Sequence, residues 1–247
     1  MTPDRESDNA RALRRYYAFH SRVYDATRWT FLFGRRALIR HLASTCRPTR
    51  ILEIGCGTGT NLLQLASAFP QARLLGLDGS PAMLAVARRK LRPLGSRITL
   101  VPAYYLQPGQ LPLRPDLIVF SYCLTMINPG WETTLDAAAA DLDPEGCLAV
   151  VDFAGSPVPA FRRWMSLHHV RMEPHLGPAL RTRFIADHDS TRNACAGLWR
   201  YLTFIGRPKV PPDPGAAARP AHMPPPSTFM DWARTTLRPP PDAVRPP

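Results

Sequence analysis

Residues 51–61 read Ile-Leu-Glu-Ile-Gly-Cys-Gly-Thr-Gly-Thr-Asn, an apolar run that leads into a glycine-rich loop. Glycines at 55, 57 and 59 let a backbone turn tightly after a strand, approach a ligand closely and present the N–H groups of a following helix. Nineteen residues after Gly59, the run Arg73-Leu-Leu-Gly-Leu ends in Asp78, where a second strand would place a carboxylate acceptor for a ribose diol. The combination predicts a loop that binds a nucleotide-like cofactor.

The spacing of the glycines distinguishes between classes of cofactor. A nicotinamide or flavin fingerprint, G-x-G-x-x-G, would need glycine at position 60, where the chain has Thr. The stretch Glu53-Ile-Gly-Cys-Gly-Thr-Gly59 instead resembles the first motif of the class I S-adenosylmethionine-dependent methyltransferases. In that family the glycine loop lies under the methionine part of the cofactor, and the acidic residue matched by Asp78 holds both ribose hydroxyls. The alternative interpretation is a structural turn without a ligand.

Hydrophobic patterning downstream predicts alternating strands and helices. The strands are expected at 50–54, 73–78, 97–101, 116–121 and 147–153, and the helices at 60–69, 81–91 and 131–142. Nearly all-apolar strands that alternate with helices are typical of a parallel sheet covered on both faces. We therefore expect an α/β fold with a doubly wound, Rossmann-like methyltransferase sheet, closed by a last, antiparallel strand at 197–205.

Three segments are expected. Apolar and aromatic residues at helical spacing predict an N-terminal helical cap over 1–44, followed by the cofactor-binding methyltransferase domain over 45–206. Residues 207–247 contain thirteen prolines, a composition that cannot bury enough apolar surface to stay folded. This tail is expected to be disordered.

The resemblance and the predicted strand ends together define the expected cofactor site. Ligands in such folds bind at the carboxyl ends of the strands, which also places Asp152 at this crevice. The residues expected to contact S-adenosylmethionine are Glu53, Gly55, Cys56, Gly57, Thr58, Gly59, Asn61, Asp78, Gly79, Ser80, Met83, Ala103, Ser121 and Tyr122. Many relatives have Gly-Asp-Ala after the third strand, with the Asp on the adenine amino group. This chain has Val101-Pro-Ala103, so a backbone carbonyl or Tyr104 would have to replace that acceptor.

A longer resemblance concerns the methyl acceptor. The string Tyr24-Asp-Ala-Thr-Arg28, followed by Leu32-Phe-Gly-Arg35, is similar to the betaine-lipid N-methyltransferases. So are Phe120-Ser-Tyr-Cys-Leu-Thr-Met-Ile127 and Val151-Asp-Phe153. That family methylates the amino group of diacylglyceryl homoserine three times, which implies a lipid head group as the substrate.

Methyl transfer to an amine needs alignment and exclusion of water rather than a dedicated nucleophile. A trimethylated product is a permanent cation that aromatic faces can hold, and ordinary core packing is the alternative role of these aromatics. The candidates are Tyr24, Trp29, Tyr122 and Trp164. Tyr24, Arg28 and His168 are the predicted catalytic residues: the tyrosine covers the methionine end, Arg28 pairs with a carboxylate, and His168 or His20 accepts a proton.

The chain carries a net charge of +12, with a sequence pI of about 10.2. The excess, concentrated in 1–50 and 156–183, indicates an anionic partner, either nucleic acid or a membrane surface rich in acidic lipid. Only two of the 31 basic residues are Lys, which also fits a compositional origin. An amphipathic helix with Trp and Arg at 158–171 fits peripheral contact with anionic lipid, or equally a lid packed on the sheet. Phe161, Trp164, Met165 and His168 are expected on one face of that helix.

Five cysteines without C-x-x-C spacing indicate reduced core residues, with neither a disulfide framework nor a zinc site. No metal is expected. A polar start and the lack of a long apolar run predict a cytoplasmic protein, with contact at the inner membrane face at most.

Three other functions remain open on the sequence alone. In the first, the protein methylates another small amine, quinone or phenol. In the second, it methylates RNA or binds nucleic acid. In the third, it binds the cofactor without catalysing a reaction. The nucleic-acid alternative is disfavoured, since Ser121-Tyr-Cys-Leu stands where base-amine methyltransferases usually carry Asn/Asp-Pro-Pro-Tyr/Phe. No nucleic-acid partner is expected.

Overall fold

The computed structural model describes residues 32–105, 107–109, 111 and 114–209. Most of the predicted N-terminal cap lies outside the described residues, and so do its candidate site residues His20, Tyr24, Arg28 and Trp29. Nearly all of the Pro-rich tail also lies outside them.

Six α-helices and seven strands are described, along with short 3-10 turns at Arg92–Arg97 and Cys195–Gly197. The helices are α1 (Arg35–Thr45), α2 (Thr60–Ala68), α3 (Pro81–Leu91), α4 (Trp131–Asp141), α5 (Pro159–Leu167) and α6 (Leu176–Arg183). The strands are β1 (Arg50–Ile54), β2 (Arg73–Asp78), β3 (Ile98–Pro102), β4 (Leu117–Ser121), β5 (Cys147–Gly155), β6 (Phe184–Ala194) and β7 (Trp199–Pro208).

All seven strands form one sheet in the order β3-β2-β1-β4-β5-β7-β6. The first five strands are parallel, and β7 pairs antiparallel with both β5 and β6. The strand order reverses between β1 and β4, where a crevice opens at the carboxyl ends of the strands. The predicted doubly wound fold and its antiparallel closing strand are confirmed.

Helices cover both faces of the sheet. Leu135 of α4 and Leu180 of α6 belong to the hydrophobic cluster on one face. The cluster on the other face contains Leu42 of α1, Leu62 of α2 and Met165 of α5. Helix α1 is thus part of the layer that buries the sheet, and the predicted boundary at residue 44 falls inside this helix.

Strand β6 was not predicted from the sequence pattern. Its central residues, Asp187-His-Asp-Ser-Thr-Arg192, are polar and mostly exposed, because β6 is an edge strand that pairs only with β7. The register places Phe184 opposite Pro208 and Ala194 opposite Trp199. Pairing with β6 extends β7 to Pro208, one residue past the predicted start of the tail at 207.

Candidate active site

The glycine loop connects β1 to α2 at the strand-order reversal. Gly57 has a φ of +53°, and no described atom lies within 4 Å of the position that a Cβ would occupy there. A left-handed backbone with open space beside it is a place where a ligand can approach the main chain closely.

Asp78, the last residue of β2, is held against this loop. Its Oδ2 accepts a hydrogen bond of 2.8 Å from the Gly57 N–H, and its Oδ1 accepts one of 2.8 Å from the Ser80 N–H. Burial raises the pKa of this carboxyl, while the two backbone N–H groups act in the opposite direction. Because each carboxylate oxygen can accept more than one hydrogen bond, Asp78 keeps acceptor capacity for a further donor at the loop.

A second carboxylate lies at the end of β1. Glu53 is 1% exposed, and its Oε1 accepts a hydrogen bond of 2.9 Å from Asn61 Nδ2 on α2. Glu53 Oε2 and Asn61 Oδ1 are both buried, and neither has a hydrogen-bond partner among the residues that the structure describes. Desolvation raises the pKa of Glu53 to about 8, partly offset by the nearby charge of Arg35 and the hydrogen bond from Asn61. Two unpaired buried oxygens are costly on their own and fit a ligand that brings hydrogen-bond donors, above all a cationic one.

Arg35, at the start of α1, reaches into the same region. Its Nε donates a hydrogen bond of 2.7 Å to Ser121 Oγ at the end of β4, and its Cζ lies 5.6 Å from the centroid of the Tyr122 ring. Tyr122 is buried, and its hydroxyl donates a hydrogen bond of 2.7 Å to the carbonyl of Phe33. The segment Leu32-Phe-Gly-Arg35 contains this arginine, but its sequence pattern predicts no role for Arg35.

Gly34 sets the direction in which α1 begins. It is the N-cap residue with a φ of +84°, and a Cβ there would lie 2.6 Å from a ring carbon of Tyr201 on β7. A glycine directly before a helix is the sequence signal for Arg35, because the turn at the glycine sets the direction of the side chain that follows it.

Asp152 has a different position from the one expected. It is fully buried, and its oxygens accept hydrogen bonds from the backbone N–H groups of Leu124, Thr125 and Phe153 and from the Thr125 hydroxyl, at 2.6–3.3 Å. Desolvation raises its pKa to about 6, and these hydrogen bonds oppose that shift. The carboxylate thus anchors the loop after β4 instead of facing an open crevice.

The segment after β3 lies beside Asp78. The Ala103 N–H donates a hydrogen bond of 3.2 Å to the Asp78 carbonyl. The Tyr104 ring packs on Gly79, where a Cβ would lie 2.2 Å from a ring carbon. Ser80 caps α3, and its Oγ accepts a hydrogen bond of 3.3 Å from the Met83 N–H. Tyr104 is therefore placed next to the residues expected to hold the nucleoside, as the adenine alternative requires.

Two further loop residues are buried. Cys56 is 5% exposed and Thr58 is 3% exposed. The Thr58 hydroxyl lies 3.4 Å from Lys90 Nζ on α3, so this side chain faces the neighbouring helix. Gly55 and Gly59 stand in the loop as predicted, both with positive φ.

The predicted acceptor side is only partly described. His168 lies one residue past the end of α5, and its ring packs edge-on against Trp164 at 4.7 Å. Met165 is buried while Trp164 is 45% exposed. The Phe161 and Trp164 rings lie 5.7 Å apart, so the rings of Phe161, Trp164 and His168 follow one another along one side of α5, as expected, although the helix itself ends before His168. Within the described ranges, no group of three or more His, Cys, Asp or Glu side chains could hold a metal ion.

The fold and this site together define a class of protein. Residues 51–146 match the family model described as a methyltransferase domain. The chain is 31% identical over 171 residues to the demethylmenaquinone methyltransferase of Thermus thermophilus, a match that covers 68% of this chain and 70% of the relative. The chain therefore belongs to the S-adenosylmethionine-dependent methyltransferases of class I.

Other relatives that share this domain are named for a different substrate. The trans-aconitate 2-methyltransferase of Streptomyces avermitilis is 33% identical over 163 residues, which are 64% of this chain and 57% of that protein. The enzyme of the same name from Methylobacterium nodulans is 37% identical over 42% of this chain and 38% of its own length. The chain thus spans less than three fifths of the length of each of these two relatives.

Solved structures with low sequence identity share the fold. The N-methyltransferase NodS from Bradyrhizobium japonicum, in complex with S-adenosyl-L-homocysteine, has a TM-score of 0.60 at 22% identity, covering 71% of this chain and 86% of that one. The 1,6-didemethyltoxoflavin-N1-methyltransferase of Burkholderia thailandensis has a TM-score of 0.64 at 18% identity, covering 85% and 92%.

Proposed function

We propose that the protein transfers a methyl group from S-adenosylmethionine to a small-molecule acceptor. The observation that carries the cofactor half of this proposal is the set of acceptor oxygens around the glycine loop. Glu53 Oε2 and Asn61 Oδ1 are buried without a partner among the described residues, and the Asp78 carboxylate lies beside them. The open space beside Gly57 completes a site into which a ligand fits.

These acceptor oxygens, together with Arg35, match the chemical groups of S-adenosylmethionine. Glu53 and Asn61 would accept hydrogen bonds from the ammonium group, and Asp78 from the ribose hydroxyls. Arg35 would pair with the carboxylate, since a guanidinium is well suited to that group. When bound, S-adenosylmethionine supplies an electrophilic methyl group on a sulfonium. The chain would contribute alignment of the acceptor and exclusion of water, which is where most of the rate enhancement of such a displacement originates.

The relatives support a small-molecule acceptor better than a betaine lipid. They are named for trans-aconitate and demethylmenaquinone, and the resemblance to betaine-lipid enzymes gains no support from these comparisons. A small carboxylic acid is the first acceptor class to test. A carboxylate is already an anionic nucleophile at neutral pH, and the charge of +12 raises the local concentration of anions.

Peripheral contact with anionic membranes is a separate proposal. Trp164 and Leu167 on α5 are 45% and 73% exposed, and Arg162 and Arg163 beside them are also exposed. Exposed apolar side chains next to arginines are typical of helices that bind anionic lipid. Among the described residues, none of the helices is long and apolar enough to cross a bilayer.

Calorimetry with S-adenosylmethionine and S-adenosylhomocysteine tests the cofactor half. Asp78→Ala should weaken binding by roughly 1–3 kcal/mol, because the ribose hydroxyls would lose their carboxylate acceptor. Asp187→Asn is the matched control, since Asp187 lies on the distant edge strand in an exposed ion pair with Arg207. Wild-type affinity in Asp78→Ala would remove Asp78 from the ribose site.

Release of S-adenosylhomocysteine, measured with a panel of acceptors, tests the other half. The panel should contain small carboxylic acids, amines, quinones, phenols and diacylglyceryl homoserine in vesicles. We expect turnover with a small molecule and none with the lipid. Methylation of the lipid alone would reject the small-molecule assignment.

A further inference from the structure

The fourth parallel strand is followed by a tyrosine in a backbone conformation that side chains seldom adopt. Tyr122 has a φ of +56°, in the left-handed region that is costly for a bulky residue. Residues of β5 hold it there: its N–H donates a hydrogen bond of 2.8 Å to the Val151 carbonyl, and its ring packs edge-on against that of Phe153 at 4.8 Å. Strained backbone that its surroundings maintain is concentrated at functional sites, which motivates a search for the role of this turn.

The turn contacts the start of α1 and the segment before it. The Tyr122 hydroxyl donates a hydrogen bond of 2.7 Å to the Phe33 carbonyl. Arg35 Nε donates one of 2.7 Å to Ser121 Oγ, and the Arg35 guanidinium lies over the Tyr122 ring, with Cζ 5.6 Å from the centroid. Ser121 and Tyr122 are both buried. They therefore fix the main chain before α1 and the side chain of its first residue together.

The next residue along the chain joins this turn to the glycine loop. A Cβ on Gly55 would lie 2.7 Å from the Cys123 Cβ, and the Cys123 thiol donates a hydrogen bond of 3.1 Å to the Ile54 carbonyl. The turn that holds Arg35 thus lies directly beside the loop that would hold the methionine part of the cofactor. Cys123 is buried, as expected of a core cysteine. That expectation is wrong for the three cysteines that are partly or fully exposed: Cys46, Cys147 and Cys195.

The geometry of the guanidinium suits a carboxylate ligand. Ser121 Oγ engages Nε, and Nη2 lies 3.5 Å from the Ser121 carbonyl. The two Nη atoms of Arg35 together form an edge that can meet a carboxylate with parallel hydrogen bonds. The nearby charge of Arg35 opposes the rise in the pKa of Glu53, so a cation and an acidic group act in one site. An α-amino acid group, with one charge of each sign, is complementary to this pair.

We propose that Ser121 and Tyr122 are positioning residues that hold Arg35 where its guanidinium pairs with the carboxylate of S-adenosylmethionine. The inference rests on the proposed function, because it takes S-adenosylmethionine as the ligand of this site. In this role both residues act on the cofactor through Arg35, in place of the direct contact that the resemblance implies. A guanidinium that is already held loses less conformational freedom on binding, and this strengthens binding of the ligand.

The experiment compares two ligands that differ by one carboxylate, S-adenosylmethionine and its decarboxylated form, by calorimetry on the full-length protein. Arg35→Gln should weaken binding of S-adenosylmethionine on the order of tenfold to a hundredfold, because a charge-assisted hydrogen bond is lost. It should not weaken binding of the decarboxylated ligand, which has no group for the guanidinium. Thermal unfolding of each variant records the effect on stability separately.

Tyr122→Phe removes the hydroxyl that holds Phe33, and Ser121→Ala removes the acceptor of Arg35 Nε. Each should weaken binding of S-adenosylmethionine about threefold to tenfold, the usual effect of one hydrogen bond, and should leave the decarboxylated ligand unaffected. Neither should cause a further loss when combined with Arg35→Gln, since residues that act through one group are not additive. The two variants address the same point independently, so one suffices if the other fails to fold.

Tyr201→Phe is the matched control. The Tyr201 ring packs against Phe33 at 6.3 Å and against Gly34, and the substitution keeps that ring, so both affinities should match those of the wild type. Equal losses for the two ligands in Tyr122→Phe and Ser121→Ala would overturn the proposal, because a purely structural role affects both ligands alike. A further loss in the Arg35→Gln background would overturn it as well. A wild-type protein that does not bind S-adenosylmethionine would instead remove the proposed function itself, and this inference with it.

Discussion

Glu53 shows how one buried residue ties stability to pH. Its pKa is about 8 in the folded chain against an ordinary value of 4.5, because burial disfavours the charged form. The folded state therefore keeps a proton that the unfolded chain releases. The resulting contribution to stability is fully present below the ordinary pKa and is lost as the pH rises through the window from about 4.5 to about 8.

Glu53→Gln should abolish this dependence. The free energy of unfolding of the wild type should fall relative to that of the variant as the pH rises through that window. Asp78 and Asp152 titrate in both proteins, so their contribution cancels when the variant's free energy of unfolding is subtracted from that of the wild type. S-adenosylmethionine should also bind the wild type more tightly as pH rises, because an ammonium beside Glu53 favours the carboxylate. Urea unfolding and calorimetry at several pH values measure both effects. Parallel pH profiles for the two proteins would show that Glu53 does not titrate in this range.

Asp152 is the contrasting case of a carboxylate with a structural role. Asp152→Asn places an amide NH₂ group against N–H and O–H donors that now point to the carboxylate. We expect a loss of roughly 2–3 kcal/mol in the free energy of unfolding, measured by urea denaturation. Cofactor affinity, determined well below the unfolding transition, should change little. Lost affinity with unchanged stability would instead place Asp152 in the binding site.

At the scale of elements, two glycines set how a helix begins: Gly57 in the loop between β1 and α2, and Gly34 directly before α1. Both have positive φ. A Cβ at Gly57 would meet no described atom within 4 Å, whereas a Cβ at Gly34 would clash with the Tyr201 ring. An added methyl group therefore has different effects at the two positions.

Gly57→Ala should cost on the order of 1 kcal/mol of stability through backbone strain, and should weaken cofactor binding by more than that, because the methyl group fills the open side of the loop. Gly34→Ala should lower stability further, since the ring of Tyr201 must move. Thermal unfolding and calorimetry on both variants provide the comparison. Full cofactor affinity in Gly57→Ala would show that the ligand does not pass the glycine loop on that side.

At the scale of the whole molecule, the charge of +12 and the outer face of α5 bear on membrane contact. Binding to anionic vesicles should fall as salt rises, because exposed charges are screened over about 8 Å at physiological ionic strength. Replacing both Trp164 and Leu167 with Ala should weaken binding, measured by sedimentation with vesicles. Ile185→Ala is the matched control, since Ile185 is 54% exposed on the edge strand β6. Equal binding to neutral and anionic vesicles at low salt would show that the arginines have no role in membrane contact and reflect only the amino-acid composition of the chain.

The sequence by itself determined the cofactor class and the central sheet. The glycine loop, Asp78 and the apolar strands are local patterns, and parallel strands bring their carboxyl ends together at one edge. That is why Asp78 could be expected beside Gly57, and the structure places it there. The roles of the individual site residues stay predictions.

Only the tertiary structure decided which distant residues meet. Arg35 reaches Ser121 across 86 positions, because α1 packs against a sheet whose strand order is not the chain order. Strand β6 could not be predicted, because an exposed edge strand needs no apolar pattern. The position of Asp152 could not be predicted either, because its hydrogen-bond partners lie on the loop that follows another strand. Local patterns carry the period of an element, whereas pairwise contacts between remote segments follow from topology and packing.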